Sequence, residues 1–121
     1  MQRVNKEIYK VLESILPNKT GIYPAFGSED AKFPFVVYNC DSLVPDRSKD
    51  GIEGFKMQYS IDIYSDKFDT SDLIEDLIIE GLEGYTGQTI SDILLVDGSS
   101  SFNGSFRHTL NFEISIDVDY T

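Results

Sequence analysis

Phe106, His108, Leu110, Phe112, Ile114, Ile116, Val118 and Tyr120 alternate without a break against Arg107, Thr109, Asn111, Glu113, Ser115, Asp117 and Asp119. A two-residue period with one apolar and one polar face predicts a strand lying on a core, its other side wet. Over Ser105–Thr121 it would run about 50 Å, crossing the whole sheet or projecting past it. Phe55, Met57, Tyr59, Ile61 and Ile63 repeat the pattern against Lys56, Gln58, Ser60, Asp62 and Tyr64. Two such strands need a cover for their shared apolar face. Val4, Ile8, Val11, Leu12, Ile15 and Leu16 form one amphipathic helical stripe, stopped by Pro17. Leu73, Ile74, Leu77, Ile78 and Leu82 form a second. Asp72 and Glu75 have the spacing of a capping box, Asp66 to Ser71 make the approach, and Gly84 suits the C-terminal cap.

Between these elements, Gly21–Pro24 reads as a short extended piece leading to a loop around Gly27-Ser28-Glu29-Asp30. Phe33–Cys40 is apolar on both faces and reads as a central or doubly covered strand, with Pro34 among its first residues. Ser42–Gly54 breaks every period. It is either a polar loop or the mobile tip of a long hairpin joining two strands. Ile90–Val96 is a short strand followed by polar Asp97–Ser101, and Asn103-Gly104 signals a two-residue type I′ hairpin between Phe102 and Phe106. The expected fold is α+β: an antiparallel sheet of about four strands with two helices packed on one face, in one domain over residues 1–121.

Composition narrows the function. Ten basic against twenty-one acidic residues give a net charge of −11. That argues against a protein that grips nucleic-acid backbones, which needs Lys and Arg on phosphates. It permits a DNA mimic, a wall past which DNA slides, or plain solubility. At 40% hydrophobic the chain can bury a core. Cys40 is the only cysteine, which excludes an internal disulfide and a thiolate metal cluster; its place in a strand pattern reads as a small buried side chain. Neither a signal-peptide apolar region nor a membrane-length apolar run is present, so a cytoplasm-like compartment is expected.

Catalytic patterns are missing. His108 is the only histidine and lies on the apolar side of its strand, as a packed or hydrogen-bonded residue would. No Ser or Cys nucleophile has a base supplied by the pattern. Asp62, Asp66, Asp69 and Asp72 lack the spacing of a calcium loop, and helix capping accounts for the last two. The glycine loops match no phosphate-binding fingerprint. Glu113, Asp117 and Asp119 line an open strand face, where carboxylates are solvated. The expectation is no enzyme, no cofactor and no metal.

Gly21-Ile22-Tyr23-Pro24, Phe33-Pro34-Phe35-Val36-Val37-Tyr38 and the alternating Gln58–Ser65, in this order, resemble the tail-completion family of long-tailed phages. The finish is similar too: Phe102, Asn103-Gly104, then Phe106-Arg107-His108-Thr109-Leu110-Asn111-Phe112-Glu113-Ile114. The resemblance spans nearly the whole chain. It implies a subunit like the tail terminators of lambda-like phages, an α+β protein forming a ring, thought to be hexameric, on the last tail-tube ring. The implied partners are further copies of itself, the tail tube protein and the head–tail connector protein, with DNA only passing through the lumen and no membrane. The implied location is the virion tail, assembled in the host cytoplasm of a phage or prophage. On this resemblance Pro45, Asp46, Arg47, Ser48, Lys49 and Asp50 would reach toward the lumen or the neighbouring ring, and Glu113, Asp117 and Asp119 would add to an acidic surface. Asp46-Arg47-Ser48 fits the family's basic-then-small loop only loosely. The alternatives are an acidic DNA mimic that inhibits a nucleic-acid-binding protein, or a neighbouring head–tail connector subunit.

Overall fold

The computed structural model describes residues 2–25 and 30–118. Its centre is the pairing of the two alternating stretches. Strand β3 (Gly51–Ser65) runs antiparallel to β5 (Phe106–Asp117), so that Met57, Tyr59, Ile61 and Ile63 stand opposite Ile114, Phe112, Leu110 and His108. All eight are buried, and the polar members of both strands share the other face. Helices α1 (Gln2–Ile15) and α2 (Phe68–Leu82) cover the apolar face with Val4, Ile8 and Leu12 and with Ile74, Ile78 and Leu82. Full burial of each large side chain contributes about 1.5–3 kcal/mol.

The sheet has five strands in the order β1-β2-β3-β5-β4, where β1 is Gly21–Pro24, β2 is Phe35–Ser48 and β4 is Ile90–Phe102. The expectation of about four antiparallel strands is corrected in two ways. Gly21–Pro24 is a fifth strand, and it pairs parallel to β2, with Gly21 opposite Phe35 and Pro24 opposite Tyr38. Gly21 N–H donates to the Pro34 carbonyl at 3.1 Å and Ala25 N–H to the Tyr38 carbonyl at 2.7 Å, which clamps both ends of that ladder. The second correction concerns the final strand, which was expected to run through Thr121. It ends at Asp117 and lies between β3 and β4, so both its edges are already paired. Tyr120 lies outside the described residues, as do Gly27, Ser28 and Glu29 of the expected loop.

Ser42–Gly54 settles as a long hairpin. β2 and β3 pair all the way out to Ser48 and Gly51, and Lys49-Asp50 form the turn, followed by Gly51 at φ +113. β4 likewise extends through Asp97–Ser101, because backbone pairing to Arg107–Asn111 needs no apolar side chains. The β4–β5 turn is not the expected two-residue type. Phe102 pairs with Phe106 across Asn103, Gly104 and Ser105, and of these only Gly104 has positive φ.

α2 begins four residues before the supposed capping box. Lys67 is its N-cap residue without a side-chain cap bond, and Ser65 and Ser71 hydroxyls donate to the Lys67 carbonyl at 3.0 and 3.2 Å. Asp72 and Glu75 therefore lie in the second turn, and Leu73, placed in the apolar stripe by its spacing, points out of the core and is exposed. Gly84 does adopt φ +75 just after the helix, and its N–H donates to Ile93.

Candidate functional site

The expected interaction residues fall into two places. Asp46, Arg47, Ser48, Lys49 and Asp50 are exposed at the tip of the β2–β3 hairpin, with Pro45 half-buried at its base. The last β3–β5 rung is Gly54 with Asp117, and Val118 N–H still donates to the Glu53 carbonyl at 2.8 Å, so the hairpin from Arg47 to Ile52 projects past β5. Asp117 sits on that same rung, at the root of the projection. Glu113 lies further back on the sheet, opposite Gln58 and Leu94, and is not part of the tip. Asp119 lies outside the described residues. The structure thus joins Asp117 to the hairpin and leaves Glu113 apart.

The side of the sheet without helices carries an ordered polar network. Asp62 accepts from Thr109 Oγ1 at 2.5 Å and from Arg107 Nη2 at 3.3 Å. Asp62 holds the guanidinium in its charged form, mainly through this hydrogen bond, and raises its pKa further. Asp97 accepts from Asn111 at 2.6 Å, and Asp41 accepts from Asn39 at 3.0 Å and from Ser60 at 3.3 Å. Several of the carboxylates that give the chain its acidity are thereby tied into the sheet.

Beside this network runs an aromatic strip that residue patterns did not single out. Tyr23 meets Phe35 edge-on at 6.0 Å, Phe33 and Tyr64 stack on Phe35 at 5.8 and 4.8 Å, and Arg107 lies over Tyr64 at 5.6 Å. It crosses β1, β2, β3 and β5, with Phe33 47% exposed at its margin. The signal was present in the large aromatic side chains at positions of wet-face parity, Phe35 and Tyr64, but only the strand register brings them together.

Both sheet edges are strands. β1 is four residues long, whereas β4 is thirteen. The first part of the β4 edge is covered: Gly87 N–H donates to Ile90, Gly84 N–H to Ile93, and Leu95 N–H to Glu83 Oε2 at 2.5 Å. Beyond Leu95 the strand continues to Phe102, with Val96 and Phe102 exposed. The outer half of β2, past its pairing with β1 at Tyr38, is a second long edge and exposes Leu43 and Val44.

His108 is buried and its Nδ1 meets the Glu75 carboxylate, as a hydrogen-bonded strand histidine should. Cys40 is only half-buried, not fully as its pattern suggested; burial pushes its thiol pKa up, and its Sγ–H donates to the Ser42 carbonyl at 3.3 Å. No helix is long and apolar enough to cross a membrane.

No protein-family model and no curated protein matches this sequence. Among solved structures, the virion of a native gene transfer agent (GTA) particle contains a chain similar to this one. The TM-score is 0.74 at 14% sequence identity, over 92% of each chain. At that identity the likeness is one of fold.

Proposed function

We propose that this chain is a structural subunit of a phage or prophage particle, and that it caps the tail tube as a ring and joins it to the head connector. The observation that carries the reading is the fold likeness to a chain of a gene transfer agent virion, which extends over nearly the full length of both chains. The sequence resemblance to tail-completion proteins supports the finer assignment. Two structural features suit it. A hairpin projecting beyond the sheet reaches a neighbouring ring or the lumen, and the outer half of β4 offers an edge for pairing between copies. The open-edge heterologous contact closes into a ring when the rotation per subunit is right. Virion assembly demands surfaces and no chemistry, and the role is structural. Light scattering with negative-stain images of the same fraction tests this. A six-chain open ring supports the reading, and a monomer that stays monomeric with purified tail tubes counts against it.

A DNA-mimic reading draws on one observation. Asp69, Asp72, Asp76 and Glu80 are all exposed along one side of α2, at helical spacings of three and four residues. At 1.5 Å rise per residue successive carboxylates stand about 4.5–6 Å apart along the axis, near phosphate spacing. Titration against a basic nuclease separates the two readings, since a tail subunit leaves the nuclease active.

A further inference from the structure

A groove lies between α2 and the β4–β5 hairpin, apart from the projecting β2–β3 hairpin. His108 is 3% exposed at a β5 position whose neighbours on the same face are Leu110, Phe112 and Ile114. A fully apolar residue would satisfy packing there, yet the chain has its one histidine. Glu75 meets its Nδ1 from α2, and Asp72, one turn earlier, brings a second carboxylate to the same side of the helix. One donor atom from each of Asp72, Glu75 and His108 lies within 4.8 Å of the others.

We infer that Asp72, Glu75 and His108 form a binding site for a divalent transition-metal ion, with zinc the ion that fits best. One imidazole nitrogen with two carboxylates is a mixed donor set suited to zinc, whereas calcium and magnesium take oxygen donors alone. Zinc bonds of about 2.0–2.2 Å put neighbouring donors roughly 3.4 Å apart in a tetrahedron. Binding brings in Asp72, an exposed side chain on the helix surface, by rotation, while the Glu75 carboxylate, hydrogen-bonded to Nδ1 without the ion, draws back to admit it. A cleft of about 290 Å³, lined also by Phe68, Ser99 and Ser100, leaves room for water at the fourth position. The neighbouring carboxylates of Asp69 and Asp76 and the net charge of −11 raise the local cation concentration. The Glu75–His108 hydrogen bond keeps both groups on one side of the cleft, and the ion takes the place of the proton they share, which is released to solvent. Once bound, the ion ties the N-terminal half of α2 to β5.

The site is tested on untagged full-length protein stripped with chelator and titrated with zinc alone. Calorimetry counts ions per chain, and imidazole NMR shifts report on His108 without ambiguity because no other histidine exists. One zinc per chain is expected, with the His108 ring signals moving in proportion to occupancy and the melting temperature rising. Asp72→Asn and Glu75→Gln, both near the surface and so able to fold, should each weaken binding by more than about ten-fold. Absence of saturable binding, unmoved His108 signals, or unchanged affinity in both variants would overturn the site.

Discussion

Asp46 of β2 and Asp117 of β5 both pair with Gly54, so two carboxylates flank a position that has no side chain. Two strand spacings separate them, about 10 Å. The glycine is required there because a Cβ would run into the Ile116 carbonyl of the adjacent strand. This rung is where the sheet ends and the projecting hairpin begins. Gly54→Ala should destabilise the chain by roughly 1–3 kcal/mol in urea unfolding. Asp46→Asn with Asp117→Asn should leave stability within about 0.5 kcal/mol, since both are surface groups, while changing how salt affects binding to tail tubes.

Tyr59 ties α1 to the sheet. Its hydroxyl, buried under the helix, donates to Asn5 Oδ1 at 2.6 Å. Burial pushes its pKa well up, with Cys40 and Tyr38 adding to the effect. A raised folded-state value stabilises the fold fully below the ordinary tyrosine value near 10, and that contribution is lost as pH rises through the folded value. Melting temperature should therefore fall above about pH 10, with Tyr59→Phe showing less of the alkaline loss. Asn5→Leu leaves the buried hydroxyl unpaired and should cost about 1–3 kcal/mol at pH 7.

Asp62 holds both Thr109 and Arg107, and the two contacts are unequal. The Arg107 side chain is half exposed, so its ion pair contributes about 0–1 kcal/mol and is screened by salt. The Thr109 hydrogen bond is shorter and sits within the sheet face. Asp62→Ala should cost about 1–2 kcal/mol, and most of that loss should persist in 1 M NaCl. A loss that vanishes in salt would show that the ion pair dominates.

The outer half of β4 should govern association. Ser100→Pro removes a backbone donor, and Val96→Lys places a charge on an exposed edge position. Val96→Lys should leave the monomer's melting temperature nearly unchanged and abolish rings in light scattering. Intact rings in that variant would move the interface elsewhere.

The two helices, the β3 and β5 alternation and the α+β class were legible because most apolar side chains on those elements, exposed Tyr9, Phe68 and Leu73 aside, face one core. Other elements were hidden for definite reasons. β1 is held by backbone bonds to Phe35–Tyr38, a pairing no local period encodes. Asp97–Ser101 and Asp46–Ser48 are strands whose side chains are wet on both sides, so composition reads them as loop. The capping box at Asp72 and Glu75 failed because Ser65 and Ser71 organise an earlier start, leaving Glu75 to reach His108. The aromatic strip needed the register of four strands before Tyr23, Phe35 and Tyr64 became neighbours.

The proposed role is tested most directly by electron microscopy of purified tail tubes of the same particle incubated with this protein. Ring-shaped density at one end of each tube, absent from the walls and lost when residues 47–52 are replaced by a two-glycine turn, is the predicted result. Bare tube ends in the presence of folded, excess protein would contradict tail capping.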